Sequence, residues 1–247
     1  MVERTGAGEP VRVVPLLWRH GLRTGRTGLT LDGVLTAAIS LADEHGIDQL
    51  SMRRLAEGLG VGTMTLYAHV PGRGELIDLM VDQVHDEVRY AAESDTGWRE
   101  ALSAVAAANW RLLSDHPWLL DVDTARPPLG PGTIGKYDAE LRALGTTGLS
   151  DLRMDQVLTL LLEHVKSSAR LSRSRRVQDA ETASDADWWD RAGPLLAAFM
   201  DAGRYPHAAR VGEAAGQEYG AASDPHRVYE FGVDVILDGV QALIDRA

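Results

Sequence analysis

Thr63, Met64, Thr65, Tyr67 and His69 fall on one side of a short helical stretch, while Leu66 and Val70 take the other. Hydroxyls, a phenol and an imidazole grouped on an outward face are hydrogen-bonding groups for a partner, not a nucleophile with its base. The elements that must hold them in place can be read over residues 50–70, L-S-M-R-R-L-A-E-G-L-G-V-G-T-M-T-L-Y-A-H-V. Leu55, Ala56 and Leu59 recur at helical spacing. Ser51 can cap that first helix by accepting a backbone N–H. Gly60 follows where a left-handed cap costs least, Val61 plugs the turn, and Pro71 stops the second helix. Two short helices around a tight glycine turn, the second with a polar, aromatic-bearing outer face, predict a helix-turn-helix whose second helix enters the DNA major groove.

Other constellations are weaker. Gly130-Pro-Gly-Thr-Ile-Gly135 fits G-x-G-x-x-G, but no apolar strand precedes it and prolines surround it, so a loop entering a helix is the better reading. The chain has no cysteine, which excludes disulfides and thiolate metal sites. The eight histidines fall at no metal spacing, no G-x-S-x-G is present, and no metal or cofactor is expected. Paired carboxylates, Asp121/Asp123 and Asp185/Asp187, read as solvated loop charge. Arg170, Arg173, Arg175 and Arg176 form a basic cluster that reads as the entry to a loop. His164, beside Glu163 on an apolar helix, is either a satisfied core histidine or a polar group facing a ligand. Trp98, Trp110, Trp118, Trp188 and Trp189 crowd into the C-terminal part, as core or as the walls of a cavity.

The helices in order begin after a Gly-, Arg- and Pro-rich arm over residues 1–29, whose segment 11–18 is more apolar than a plain tail. Residues 30–46 form an amphipathic helix with Val34, Leu35, Ala38, Leu41 and Ala42 inward and Thr30 as its cap. After the helix-turn-helix, a fourth helix runs to about residue 94 on Leu76, Ile77, Met80, Val81, Val84 and Val88. Further helices are expected over 97–114, 134–144, 150–171, 187–201 and 224–246, with 172–186 a polar loop and 205–220 one short helix. No β-branched alternation occurs. The fold class is all-α: a flexible basic arm over 1–29, a helix-turn-helix domain over 30–76 and a helical domain over 77–247.

Net charge is −11. Through residue 72 seven arginines oppose seven carboxylates, so the remainder carries the whole excess. A neutral head with arginines in the arm and in the first helix of the motif, on an acidic body that phosphate repels, suits a DNA binder. No apolar run approaches the ~20 residues that span a bilayer and the N-terminus lacks a signal peptide's apolar segment, so a cytoplasmic protein is expected.

Over residues 31–79, L-A-x-x-L-G-V-x-x-x-T-L-Y-x-H-V and its flanking helices resemble the DNA-binding domain of TetR-type regulators, and a weaker likeness continues to the C-terminus. The resemblance implies a homodimeric transcriptional regulator, most often a repressor, with a helical body that binds a small molecule and then releases a palindromic operator in double-stranded DNA. By match to the motif it implies that Ser51, Arg53, Thr63, Met64, Thr65, Tyr67 and His69 meet DNA, with Arg73 on phosphate. Gly62 and Gly72 depart from the family's Ser or Thr caps, and Ala68 from its larger residue. The magnesium-binding histidine of the tetracycline-binding members has no match.

On the last helix, Val228, Phe231, Gly232, Val235, Gly239 and Leu243 are expected at a dimer interface, with the glycines allowing close approach. Asn109, Trp110, Leu113, Trp118, Tyr137, Leu161, His164 and Trp189 are expected to line a cavity for a flat, hydrophobic or aromatic effector, with Asn109 and His164 as its polar handles. A helical enzyme or a ligand-independent DNA-binding or scaffold protein that kept the head would be the alternatives.

Overall fold

The computed structural model describes residues 3–20, 28–90 and 97–246. Among them the helices run α1 (Pro10–Leu17), α2 (Leu31–His45), α3 (Met52–Gly58), α4 (Thr63–Tyr67), α5 (Arg73–Asp86), α6 (Trp98–Asp115), α7 (Pro131–Arg142), α8 (Asp151–Glu181), α9 (Asp185–Phe199), α10 (Pro206–Tyr219) and α11 (Pro225–Ile244). Short 3-10 turns lie at Ile47–Gln49 and Pro117–Asp121, and two parallel two-residue strands, β1 (Glu3–Arg4) and β2 (Val122–Asp123), pair Glu3 with Val122 and Arg4 with Asp123. The class is all-α, and no described helix is long and apolar enough to cross a membrane.

The head forms around one small core. Thr30 and Ser51 cap α2 and α3, their hydroxyls accepting the N–H groups of Gly33 and Arg54. Gly46 and Gly60 carry φ of +83° and +66°, a left-handed geometry that glycine adopts without steric cost. Leu31, Val34, Leu35, Ala38, Ile47, Leu50, Leu55, Leu66 and Val70 then meet over α5. Burying such side chains is worth ~1.5–3 kcal/mol each.

Helix α5 is buried along nearly its whole length, three carboxylates included. Each carboxylate accepts backbone N–H groups from another segment: Glu75 from Glu9 at 3.3 Å, Asp78 from Gly6 at 2.7 Å, and Asp82 from Gly132 and Thr133 at 3.3 and 2.8 Å. Asp82 thus caps α7 from outside. A Cβ on Gly130 or Gly132 would overlap Asp82, which accounts for the Gly-Pro-Gly of the sequence as a helix start pressed against α5. Helix α5 ends at Asp86, short of the expected residue 94; Arg89 folds back to donate to the carbonyls of Asp86 and Val88, groups a helix end leaves free. Residues 91–96 lie outside the described residues.

The body packs α6, α8 and α11 around Leu102, Val105, Leu158, Leu161, Val165, Tyr229, Val233 and Leu237. One expectation gives way here. The polar stretch expected as a loop from residue 172 is helix through Glu181, because Arg173 is held by Asp121 at 2.5 Å and by the carbonyl of Pro117 at 2.7 Å, and Arg175 by Asp185. Within 205–220 the helix runs over Pro206–Tyr219 and ends on Gly220 at φ +58°. The arm is also more than a tail: residues 11–18 lie in α1 and its end, with Val13 and Leu17 in the head core. Residues 21–27, which carry the arm's remaining arginines, lie outside the described residues.

Candidate nucleic-acid interface

Helix α4 is only five residues long, and its orientation rests on two anchors. Leu66 is 0 % exposed in the head core, and Val70 follows it inward. That leaves Met64 at 82 % exposure, Tyr67 half-exposed, and Thr63, Thr65 and His69 partly accessible beside them. Arg53, on the neighbouring α3, is 84 % exposed and only loosely paired with Glu57 at 3.7 Å. The structure therefore leaves Arg53, Thr63, Met64, Thr65, Tyr67 and His69 accessible on α3, α4 and the turn after it, two helices that pack against each other. A guanidinium there can donate two hydrogen bonds to a guanine edge, and the hydroxyls can reach phosphate or bases.

Two expected contacts are engaged elsewhere. Ser51 is exposed, but its hydroxyl accepts the N–H of Arg54 at 3.1 Å and holds the start of α3. Arg73 points inward: its guanidinium pairs with Glu3 at 2.9 Å and donates to the carbonyls of Ile47, at 2.9 Å, and Leu50. The resemblance put Arg73 on phosphate; the N-terminal carboxylate that claims it lies seventy residues earlier in the chain.

The residues expected around an effector divide into groups. Trp110 and His164 meet through Tyr229, with Trp110 4.3 Å from the Tyr229 ring and His164 stacked parallel to it at 6.3 Å. His226 joins this aromatic cluster at 5.6 Å from Trp110, and Leu113 and Leu161 pack into the same core. His164 is satisfied, its Nε2 lying 3.0 Å from the Tyr229 carbonyl oxygen, and its ring sits where a Cβ on Gly232 would be. Asn109 is satisfied too, donating to Glu140 at 2.7 Å and to the Val105 carbonyl at 3.0 Å. Neither is an open polar handle. Trp118 is 1 % exposed in the core that joins head and body, Tyr137 is exposed and donates to Asp155 at 2.8 Å, and Trp189 lies between α9 and α10.

A polar cluster that the sequence did not signal lies beside this region. One oxygen of the buried Glu140 accepts from Tyr90 at 2.5 Å, Lys136 at 2.6 Å and Asn109 at 2.7 Å. Burial, then Glu140, push the Tyr90 phenol above its ordinary range. On α5, His85 lies 3.1 Å from the Thr133 hydroxyl; burial and the ammonium groups of Lys136 and Lys166 push it down to about 3. Only the spacing of Lys136 and Glu140, one helical turn apart, could have hinted at this pair. Among the grooves that border the body are two of 800 Å³ or more. One of about 980 Å³ lies between head and body, lined by Glu3, Asp48, residues 120–125, Glu163, Lys166 and Arg170. The other, of about 800 Å³, is lined by Trp189, Pro194, Leu196, Met200 and small residues of α10.

On α11, Val228, Phe231 and Val235 point outward, Phe231 at 70 % exposure, and nothing lies within 4 Å of a Cβ on Gly239. Gly232 and Leu243 instead face the protomer's own core, the first under His164 and the second against the cluster of α6, α8 and α11. The two glycines share a face by spacing, but α8 fills that face at Gly232 and leaves it open at Gly239.

Comparison with known proteins agrees with this architecture. The family model described as "Bacterial regulatory proteins, tetR family" matches residues 34–80, and that described as "Tetracyclin repressor-like, C-terminal domain" matches residues 91–244. The chain is 38% identical over 247 residues to the HTH-type transcriptional repressor DrrR1 of Streptomyces coeruleorubidus, covering 98% of this chain and 89% of that one. It is 30% identical over 225 residues to the class A tetracycline repressor protein of Escherichia coli, covering 87% and 91%. Among solved structures it is similar to apo ActR from Streptomyces coelicolor, with a TM-score of 0.75, 30% identity and coverage of 88% and 97%. It is similar also to ActR in complex with actinorhodin, at 0.74, 29%, 87% and 98%.

Proposed function

The chain belongs to the tetR family of bacterial regulatory proteins, and from that premise we propose how this ligand-responsive DNA-binding repressor does its work. It is a transcriptional regulator and not an enzyme. Its recognition surface is the outward face of α4 with Arg53 beside it. The observation that carries this reading is the contrast along α4 and the turn after it, where Leu66 and Val70 are fully buried while Met64 and Tyr67 are exposed and the threonines partly accessible. Arg53 reads a base edge; Tyr67 and His69 hold the backbone and set register.

The working unit is a homodimer. The outward stripe of Val228, Phe231 and Val235, with open space at Gly239, supports a helix-on-helix contact with a second copy. Two heads then read half-sites about one DNA turn apart, ~34 Å. The effector is a flat, mostly apolar aromatic molecule. The Trp110–Tyr229–His226–His164 cluster offers ring faces for stacking, and the Glu140–Lys136–Tyr90 group offers polar contacts that a ligand can take over. The actinorhodin complex of a structural relative supports that class.

The test is a labelled duplex selected from random sequence, titrated from low to moderate salt. Log affinity is expected to fall with log salt at about −0.9 per phosphate contact; equal affinity for random duplex would overturn the reading. Actinorhodin and other polycyclic aromatics, added with tryptophan fluorescence as the readout, are expected to quench and to release the duplex. Quenching with DNA still bound at saturation would sink the coupling.

A further inference from the structure

The N-terminal segment is built into head and body at once. Glu3 holds Arg73, and Arg73 holds the carbonyls of Ile47 and Leu50, so this one carboxylate ties the start of α5 to the turn before α3. On the other side β1 pairs with β2, and Thr5, 3 % exposed, donates its N–H to the Asp123 carbonyl at 3.0 Å and its hydroxyl to the Arg126 carbonyl at 2.7 Å. Gly6, at φ +66°, donates to the buried carboxylate of Asp78 on α5. Further on, the Trp18 indole donates to the Leu129 carbonyl at 2.8 Å, and Arg19 reaches Asp32 of α2 at 2.9 Å and Gln83 of α5 at 3.2 Å. Within residues 3–19, then, the chain grips α2, α5 and the 47–50 turn with one set of bonds and the 122–129 segment of the body with another.

We propose that residues 3–20 form a strap that sets the angle between the DNA-binding head and the body, and that displacement of the 122–129 segment reaches α4 by pulling on it. This goes beyond the function proposed above, since it concerns how the head is held rather than what it binds. Helix α5 joins head and body, and the core around Trp118 with the His116–Asp43 contact at 2.9 Å also holds α2 against the body. A further tether, fixed at Arg73 and at Asp123–Leu129, adds hydrogen bonds that oppose rotation of the head at this junction. The strap's bonds are directional hydrogen bonds to backbone carbonyls on the body side, so a shift of β2 by a fraction of their length breaks them or carries the strap along. The 980 Å³ groove has residues 122–125 as one wall and Glu3 on its rim, which puts the strap where a change in the body's shape is felt.

The test uses the full-length protein with Glu3→Gln, Thr5→Val and Trp18→Phe, which weaken the strap's polar bonds and keep its apolar bulk. The natural chain has no cysteine, so Glu44→Cys on α2 and Arg153→Cys on α8 give one spin-labelled pair from head to body, diluted with unlabelled protein so that each chain is read alone. With the strap intact one narrow distance is expected. With the triple substitution the distribution should at least double in width. Affinity for the selected duplex should fall about tenfold, as when the competent head orientation drops to about a tenth of the population, with the salt slope unchanged. An unchanged distance width overturns the proposal, and if it comes with a lower melting temperature the segment is a staple and nothing more. A salt slope that falls by about 0.9 per lost contact overturns it differently, by showing that the segment touches phosphate. Should the triple variant fail to fold, Thr5→Val alone carries the same readouts.

Discussion

Two pairs of helices stand out from the rest of the molecule, α3–α4 in the head and α9–α10 beside the end of α8, and they leave side chains in solvent for different reasons. The first pair is backed. Met52, Leu55, Ala56, Leu66 and Val70 sink into a core closed by α2 and α5, and what remains outside is mainly threonine, tyrosine, histidine and arginine. The second pair has no buried residue in either helix, and Trp188, Leu195, Leu196, Phe199, Tyr205 and Val211 are all exposed, Phe199 at 87 %. It rests chiefly on itself, with Trp189 within 2.9 Å of where a Cβ on Gly216 would be. Its base is joined to α11 by the Arg227–Glu218 pair at 2.5 Å, next to Val228. A backed helix with a polar outer face is a rigid recognition surface. An unbacked pair with an apolar outer face, tied to α11 beside Val228, belongs with the surface that we propose for a second copy.

The sharpest way to break this comparison is to remove the same kind of apolar group from each pair. Leu66→Ala should cost about 2–5 kcal/mol, as expected for a fully buried leucine, and abolish duplex binding, whereas Phe199→Ala should shift protomer stability by no more than about 0.5 kcal/mol. Denaturant unfolding of both variants checks this, and equal losses would show that α9–α10 is backed after all. Next in size is the outward stripe of α11. Val235→Asp places an unpaired charge in the proposed contact and should yield a folded monomer in sedimentation velocity at micromolar concentration; a variant that stays dimeric places the contact elsewhere.

On the backed pair, Arg53→Ala should weaken specific duplex binding by about 1–3 kcal/mol with an unchanged melting temperature. A loss shared equally by random duplex would reassign Arg53 to phosphate. The smallest effect concerns the backing itself. His85 on α5 is held down to about 3 from an ordinary 6.5, chiefly by burial. Below pH 6.5 the unfolded chain takes up a proton that the folded chain refuses, so this group's contribution is full above that pH and is lost as pH falls toward 3. His85→Asn should therefore show a flatter decline in unfolding stability between pH 7 and pH 5 than the natural chain; parallel declines would show that His85 protonates freely in place.

The all-α class, the helix-turn-helix, its caps at Thr30 and Ser51 and the outward set on α4 were all readable in the amino-acid sequence. They rest on contacts between residues a few positions apart, where helical periodicity, an N-cap hydroxyl and a left-handed glycine act locally. The outward stripe of α11 was readable in part, since periodicity shows that a face is apolar and not which side of it the protomer's own α8 occupies. What only the tertiary structure decided are the pairings across long separations. Arg73 is claimed by Glu3, Gly232 seats His164, Asn109 is satisfied by Glu140, and Asp82 caps a helix fifty residues away. For the same reason the eight residues expected around one cavity part company: Trp118 goes to the core between head and body, Tyr137 to the surface and Trp189 to the α9–α10 pair. Residue type announces that a tryptophan will be packed or a buried amide satisfied. Which partner does it depends on how distant helices come to lie against one another, and no spacing along the chain encodes that.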